Sequence, residues 1–361
     1  MSLWIVIGGQ YGSEGKGKVS AHLTISEKIE ICVRCGGPNS GHSFTMADGS
    51  RLLLRQLPTG VVRPSTRLLI PAGALIDLDV LRAEIDTFRL DCRRVGIDRN
   101  AMIVEPRDRG EERQLGMRER LSSTLTGVGS AVARRALRTP DVRLAKDVSE
   151  AWLQQLITDV AEECNRGIDT GKKVLIEGTQ GFGLSLYHSR AYPKSTSRDT
   201  SAAGFLSEVG LSPIQVTEIV AVFRTFPIRV AGSQAGPLDE ETDWETIQRE
   251  SGYPTPLAEY TTVTQKLRRV GRFDWSLAQH AVDRNKPTRI AIMGLDYLDY
   301  QDFGKRSFGD LGQASLAFLN RFENTLGSVA YVGTGPALEQ ICEVPKRMQQ
   351  EYISLRVCAT A

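Results

Sequence analysis

A glycine-rich stretch early in the sequence has the composition of a phosphate-binding loop. The apolar run 3–7, predicted to be a buried strand, leads into Gly8-Gly9-Gln10-Tyr11-Gly12-Ser13-Glu14-Gly15-Lys16-Gly17-Lys18. Glycines let backbone N–H groups approach phosphate oxygens, a following helix start adds partial positive charge, and the two lysines add full charges. This phosphate loop differs from the common P-loop, because Gly17 stands where that motif has Ser or Thr. It predicts a phosphate-bearing ligand held by a less common loop.

A second glycine-rich loop brings a histidine to the end of another predicted strand. Gly36-Gly37-Pro38-Asn39-Ser40-Gly41-His42-Ser43 follows an apolar segment that ends at Cys35. An imidazole in that place can act as an acid or hydrogen-bond donor toward a phosphoryl group. The alternative is a structural histidine that caps a turn. The surrounding glycines and the matching first loop favour the functional interpretation of His42.

The elements that must position these loops follow an alternating pattern. Apolar segments that end in glycine alternate with amphipathic stretches such as 78–89, 150–166 and 313–322. This alternation predicts an α/β fold with a large, mostly parallel sheet and helices on both faces. Ligands bind such sheets beyond the carboxyl ends of the strands, where the glycine turns fall. We expect one domain over residues 1–361, with an inserted surface segment at about 232–256.

Composition excludes several classes of partner. The chain has 45 Lys and Arg against 43 Asp and Glu, a net charge of +2. That balance offers no basic field for a nucleic-acid polymer, so nucleotide monomers are the expected ligands. No apolar run approaches the roughly 20 residues of a membrane span. A cytoplasmic protein without a membrane or nucleic-acid partner is therefore expected.

Together the two loops resemble the adenylosuccinate synthetase family. The first is similar to that family's G-x-Q-[WY]-G-D-E-G-K-G-K pattern and the second to its G-G-x-N-[AS]-G-H-[ST] pattern. Further segments resemble family blocks in the same order, namely 123–129, 133–135, 177–181, 192–197, 262–271, 294–296 and 333–336. The resemblance covers nearly the whole chain and implies a P-loop-NTPase-like adenylosuccinate synthetase fold.

The resemblance implies a carbon–nitrogen ligase. The family couples a nucleoside triphosphate, a purine 6-oxo monophosphate and L-aspartate. Transfer of the γ-phosphoryl group to O6 creates a leaving group, and the aspartate amine then attacks C6. This chemistry depends on positioning and charge neutralisation, which glycine loops, lysines and Mg²⁺ supply. The resemblance also implies a homodimer in which Arg134 reaches the purine phosphate of the neighbouring subunit.

The resemblance assigns roles to individual residues. The implied catalytic residues are Ser13, Lys16, His42 and Gln180. The implied triphosphate site comprises Gly12, Gly15, Lys16, Gly17, Lys18, Gly41, His42, Ser43, Arg268, Asp296, Gly333, Gly335 and Pro336. The purine monophosphate site comprises Ser13, Glu14, Asn39, Thr124, Arg134, Gln180 and Thr196. The aspartate site comprises Thr262, Val263, Thr264, Lys266 and Arg268, and Mg²⁺ would contact Ser13 and the Gly41 carbonyl.

Three positions depart from the family pattern. Ser13 replaces an aspartate that serves as general base for the purine N1 proton and as a Mg²⁺ ligand. Gly294 replaces a lysine of the block that recognises a guanine triphosphate base, although Asp296 remains. Lys266 replaces an arginine, which keeps the charge but loses bidentate geometry. If Ser13 is not the base, Glu14 or a water takes the proton.

The departures favour one substrate and leave alternatives open. A short neutral side chain at position 13 makes room for the 2-amino group of guanine, as in a bacteriophage branch of the family that uses dGMP. The expected substrates are dGMP, L-aspartate and ATP or dATP, with GTP as the alternative donor. The first alternative function is adenylosuccinate synthesis from IMP. The second is a nucleotide-binding regulatory protein without turnover.

Overall fold

The computed structural model describes residues 2–261 and 265–345. Its strands are β1 (Ser2–Gly8), β2 (Ile31–Arg34), β3 (His42–Thr45), β4 (Arg51–Leu54), β5 (Arg67–Ile70), β6 (Leu75–Ile76), β7 (Val95–Asp98), β8 (Met102–Ile103), β9 (Ile157–Thr158), β10 (Lys173–Glu177), β11 (Val216–Arg224), β12 (Ile228–Arg229), β13 (Glu241–Thr242), β14 (Arg269–Gly271), β15 (Arg289–Met293), β16 (Val329–Gly333) and β17 (Ile341–Glu343). Its α-helices are α1 (Lys16–Ser26), α2 (Leu78–Thr87), α3 (Pro106–Gln114), α4 (Met117–Leu121), α5 (Val128–Leu137), α6 (Ala151–Gln154), α7 (Val160–Asp169), α8 (Ala202–Val209), α9 (Trp244–Ser251), α10 (Trp275–Asn285) and α11 (Gln313–Leu326). None of these helices is long and apolar enough to cross a membrane.

The predicted mostly parallel sheet is confirmed. Ten strands form one sheet in the order β17-β16-β15-β11-β1-β10-β2-β5-β7-β9. Every neighbouring pair is parallel except β16 and β17, which pair antiparallel at one edge. Strand β1 lies near the middle, between β10 and β11, and the phosphate loop that follows it is therefore flanked by strands on both sides.

Burial of both sheet faces explains the continuous apolar strands. In β1, Leu3, Ile5 and Ile7 belong to one core, which contains buried side chains of α7, α8, α10 and α11. The alternate residues Trp4 and Val6 belong to a second core on the other face, which contains side chains of α1. Successive side chains of a strand point to opposite faces of the sheet. A strand with only apolar side chains is therefore fully buried only if both faces are covered.

The segment 232–256, expected as a surface insertion, contributes to a small separate unit. Its strand β13 and its neighbour β12 pair on either side of β14 in a three-stranded antiparallel sheet. Trp244 and Ile247 of α9 pack there against Phe226, Ile228 and Val270. This cluster holds the chain that follows α9 close to the carboxyl end of β15, where Asp296 lies.

Candidate active site

A cavity of about 540 Å³ opens at the carboxyl ends of the central strands. It collects predicted site residues from segments that are far apart in the sequence. Those that line it are Gly12, Ser13, Gly15, Lys16, Gly17, Asn39, Gly41, His42, Ser43, Thr124, Gln180, Thr196 and Arg268. The phosphate loop, the histidine loop and the segment after β10 thus meet around one space, as their placement at strand ends predicts.

Other predicted site residues do not line this cavity. They are Glu14, Lys18, Arg134, Lys266, Asp296, Gly333, Gly335 and Pro336. Thr262, Val263 and Thr264 of the predicted aspartate site lie outside the described residues. The direct ligand contacts expected of all these residues stay predictions.

Glu14 organises the phosphate loop from inside. Its carboxylate is buried and accepts hydrogen bonds from the backbone N–H groups of Gln10 (3.1 Å) and Gly12 (2.7 Å). The other carboxylate oxygen lies 2.6 Å from Lys16 Nζ. Gly12 (φ 88°) and Gly15 (φ 96°) adopt left-handed conformations that suit glycine. Glu14 is therefore committed to the loop and poorly placed to take a proton from a purine.

The start of α1 has features that suit the predicted anion site. Gly15 caps the helix without a side-chain hydrogen bond, and the first turn carries no acidic residue. The first N–H groups of α1 have no partner within the helix. Gly15, Lys16 and Gly17 line the cavity, so an anion there can meet these groups. A Cβ on Gly17 would lie 2.5 Å from His42 Cβ. The close approach of α1 to His42 explains why glycine replaces the Ser or Thr of the common P-loop.

His42 belongs to a buried charged cluster with Glu177 and Arg34. Its Nδ1 donates to Glu177 Oε1 in a short hydrogen bond, while Arg34 Nη1 lies 2.8 Å from the same oxygen and 2.7 Å from Nδ1. The second oxygen of Glu177 accepts from the Thr59 N–H (2.8 Å) and hydroxyl (2.5 Å). These contacts fix the imidazole at the cavity wall.

Electrostatics make this cluster responsive to ligand charge. Burial first, and then Arg34, lower the pKa of His42 to about 4, although Glu177 opposes them. Burial alone would raise the pKa of Glu177, but His42 and Arg34 bring it down to about 2. In the neutral ring the only N–H is on Nδ1 and faces Glu177, while Nε2 lies 3.2 Å from Arg34 Nη1 as an acceptor, so Nε2 donates only when the ring is protonated. Incoming phosphate charges favour that protonation, with Glu177 as the counter-charge.

Ser13 is the exposed residue of the phosphate loop. It has a left-handed backbone (φ 57°), lines the cavity, and its carbonyl accepts from Arg224 Nη1 at 3.2 Å. Gln180 (φ 58°) also lines the cavity, and its backbone lies close to Gly12. The side chain at position 13 therefore faces the same space as Gln180.

Magnesium would find few protein ligands here. The described residues contain no cluster of three or more His, Cys, Asp or Glu side chains suited to a metal. Ser13 and Gly41 both line the cavity, and their hydroxyl and carbonyl oxygens are the predicted protein ligands. This donor set fits Mg²⁺, which keeps waters and binds mostly through substrate phosphates and one or two protein oxygens.

Arg134 is held by acidic and carbonyl partners of its own chain. Its Nε and Nη2 donate to the two oxygens of Asp108 (2.7 and 2.8 Å), and Nη1 donates to the Asp141 carbonyl (3.0 Å). The side chain is buried within its own chain. Its predicted contact with a phosphate across a dimer interface stays a prediction.

Asp296 and Lys18 both lie near strands β15 to β17. Asp296 follows β15, is buried, and accepts from the Tyr253 hydroxyl at 2.8 Å. Lys18 Nζ donates to the carbonyls of Gly335 (2.7 Å) and Gln340 (2.8 Å), beside β16 and β17. Lys18 thus anchors the predicted nucleotide-base segment to α1.

Asp296 should make stability depend on pH. Burial raises the pKa of its carboxyl from 3.8 to about 6. At pH values between these two pKa values, the folded state therefore binds more protons than the unfolded state. The contribution of Asp296 to the free energy of unfolding thus falls as the pH rises. Relative to Asp296→Asn, the unfolding free energy should decrease by about 1 kcal/mol between about pH 5 and about pH 7. Urea titrations at both pH values measure this; an equal difference between the proteins at each pH would contradict it.

Three residues of the His42 cluster were not predicted from the sequence, namely Arg34, Thr59 and Glu177. Glu177 ends β10 inside the 177–181 block, so its position at a strand end was an available signal. Arg34 ends β2 in the same way. Thr59 carries no comparable signal, because its loop reaches Glu177 only through tertiary structure.

Comparisons with known proteins agree with this architecture. The adenylosuccinate synthetase family model matches residues 5–152 and 141–303. Adenylosuccinate synthetase from Thermococcus sibiricus is 41% identical over 349 residues, covering 95% of this chain and 99% of that protein. The enzyme from Pyrococcus horikoshii is 39% identical over 344 residues, covering 94% of this chain and 97% of that protein.

Solved structures of similar fold come from different sources. Succinoaminodeoxyadenylate synthetase of cyanophage S-2L, bound to dGMP and to dATP as an energy donor, is 28% identical with a TM-score of 0.81, covering 98% of this chain and 99% of that one. The fully ligated adenylosuccinate synthetase of Plasmodium falciparum has the same TM-score at 20% identity, covering 96% and 100%. The second likeness shows the fold alone.

Proposed function

Since this chain belongs to the adenylosuccinate synthetase family and is a carbon–nitrogen ligase, we propose that its purine substrate is dGMP and its phosphoryl donor ATP or dATP. The observation that carries the proposal is Ser13, a short neutral side chain facing the cavity where the family pattern has aspartate. The product is the 6-succinylamino derivative of the 2-aminopurine deoxynucleotide.

Space at position 13 supports guanine as the base. Guanine carries an amino group at C2, beside N1, and a serine occupies less of that region than an aspartate. A carboxylate could also accept from N1–H and the amino group, so size rather than hydrogen bonding favours serine. The cyanophage S-2L protein, a structural neighbour, was solved with dGMP and dATP bound.

The reaction needs two displacements in one cavity. O6 of dGMP attacks the γ-phosphorus, the bond to the β–γ bridging oxygen breaks, and ADP leaves. The aspartate amine then forms the N–C6 bond, the C6–O6 bond breaks, and phosphate leaves with O6. The start of α1 and Lys16 bind phosphate oxygens, and protonated His42 donates to the transferring group. Mg²⁺, when bound, neutralises phosphate charge.

Glu14 and Ser13 are both poor acceptors for the proton at N1. Glu14 is engaged by Lys16 and by backbone N–H groups, and a serine hydroxyl is a poor base near neutral pH. Of the two bases considered from the sequence, a water at the cavity is therefore favoured. Ser13 would orient that water as a hydrogen-bond partner.

IMP is the competing substrate. The adenylosuccinate synthetases of Thermococcus and Pyrococcus match this chain at higher identity than the cyanophage protein does. A protein that only binds nucleotides is disfavoured, because the phosphate loop, His42 and its charged partners are assembled around one cavity.

One assay separates these functions. Purified protein is incubated with Mg²⁺, aspartate and ATP, with dGMP, GMP or IMP offered in parallel, while phosphate release and product mass are followed. We expect the highest kcat/KM with dGMP, and ATP or dATP preferred over GTP. Turnover of IMP without turnover of dGMP would reject the proposal, and nucleotide binding without phosphate release would indicate the regulatory alternative.

A further inference from the structure

Arg224 joins two parts of the cavity wall. It ends β11. The Gln10 side chain donates to the backbone carbonyl of Arg224 and accepts from its backbone N–H, both at 3.0 Å. Its buried guanidinium donates from Nη1 to the Ser13 carbonyl at 3.2 Å. It also pairs with both oxygens of Glu259, Nη2 to Oε1 at 2.5 Å and Nη1 to Oε2 at 3.2 Å. The phosphate loop and Glu259 are thus held by one side chain.

Glu259 is an acidic residue in a cavity that must accept anions. It lines the cavity, and its side chain is 28% exposed. The Tyr297 hydroxyl donates to Oε1 at 3.0 Å, and the Glu259 carbonyl accepts from the Arg268 N–H at 2.8 Å. Arg268 also lines the cavity. Arg268, a cation suited to binding a dicarboxylate, therefore lies next to Glu259, whose own carboxylate would repel that ligand.

Arg224 removes that repulsion. Burial acts against its charge, but Glu259 more than compensates and raises the pKa of Arg224. Burial likewise disfavours the Glu259 carboxylate, but Arg224 lowers its pKa below the usual value. Both groups are therefore charged, and as a pair they contribute no net charge to the cavity. Arg268 then presents its positive charge to the cavity beside this neutral pair.

We propose that Arg224 is a positioning residue for L-aspartate: it neutralises Glu259 and fixes that residue to the Ser13 carbonyl, so that Arg268 presents net positive charge to the amino acid. The proposal rests on the proposed function, because it places aspartate beside Arg268. It does not depend on whether the purine is dGMP or IMP.

The test compares Arg224→Met, Glu259→Gln and the double variant. Arg224→Met leaves the Glu259 charge unpaired and should raise the KM for aspartate at least about 30-fold, while the KM values for both nucleotides change less than about 3-fold. Glu259→Gln alone should not raise the aspartate KM, because it removes a negative charge and leaves Arg224 as an additional cation. The double variant should recover at least about 5-fold relative to Arg224→Met, because the repelling charge is gone.

Controls separate charge from structure. Arg272→Met breaks another bidentate pair, with Glu250 (2.6 and 2.7 Å), away from the cavity, and should leave every KM unchanged. If Arg224→Met does not fold, the neutral but polar Arg224→Gln replaces it, with a rise of at least about 5-fold that Glu259→Gln relieves. A double variant no better than the single one, or equal rises for all three substrates, would overturn the proposal.

The wild-type assay keeps the two proposals apart. Aspartate KM is measured with whichever purine is turned over, so use of IMP would reject dGMP while leaving the Arg224 comparison intact. Conversely, if dGMP is turned over but the double variant recovers nothing relative to Arg224→Met, only the proposed role of Arg224 is rejected.

Discussion

Replacing Glu177 with glutamine should lower kcat by about 100-fold, with much smaller changes in the KM values for the nucleotides. Glutamine keeps the size of the side chain but removes the negative charge that faces His42 and Arg34. Without that charge, Arg34 disfavours protonation of the ring, and Nε2 cannot donate to the transferring phosphoryl group. Steady-state kinetics with saturating aspartate measure the effect.

A second buried ion pair provides the matched control for Glu177. Glu208 accepts from Arg198 Nη1 at 3.0 and 3.1 Å and lies outside the cavity lining. Glu208→Gln should therefore reduce thermal stability, because it leaves a buried guanidinium without its counter-charge, yet keep kcat within about 3-fold. A folded Glu177→Gln protein with near wild-type kcat would show that His42 does not depend on this carboxylate.

Replacing Ser13 with aspartate should change the purine preference. The ratio of kcat/KM for dGMP to that for IMP is expected to fall at least about 10-fold, because the longer, charged side chain enters the space beside C2 and N1. The left-handed backbone at this position tolerates aspartate, so the variant should fold. Parallel assays with both purines give the ratio directly.

Ser13→Ala distinguishes space from hydrogen bonding. Alanine keeps the room for the 2-amino group and removes only the hydroxyl. Its dGMP-to-IMP ratio should stay within about 3-fold of wild type, although kcat can fall if the hydroxyl orients water. If Ser13→Asp leaves the ratio unchanged, another residue determines the substrate.

Local sequence patterns predicted the sheet, the phosphate loop and the histidine loop. Each depends on short-range features: apolar strands, glycines at strand ends, and a helix start after the loop. The carboxyl ends of parallel strands share one edge of the sheet, so the grouping of Ser13, His42 and Gln180 followed from topology.

The orientations of individual side chains could not be predicted in this way. Glu14 turns into its own loop, and Arg134 pairs with Asp108, 26 residues away in the sequence. Glu177 meets His42 across 135 residues. Glu14 finds its partners within its own loop, whereas the partners of Arg134 and Glu177 are set by packing and by the need to pair a buried charge, both of which depend on the whole fold.

The bond between Lys18 and the edge of the sheet has a consequence for local unfolding. An edge strand such as β17 ordinarily frays early, because few contacts hold it. Here, fraying would withdraw the carbonyls of Gly335 and Gln340 from a buried ammonium group and leave it without those two acceptors. Strand β17 and the first turn of α1 are thus expected to open as one cooperative unit. The start of α1, which follows the phosphate loop, is therefore ordered only while the outermost strand of the sheet is in place.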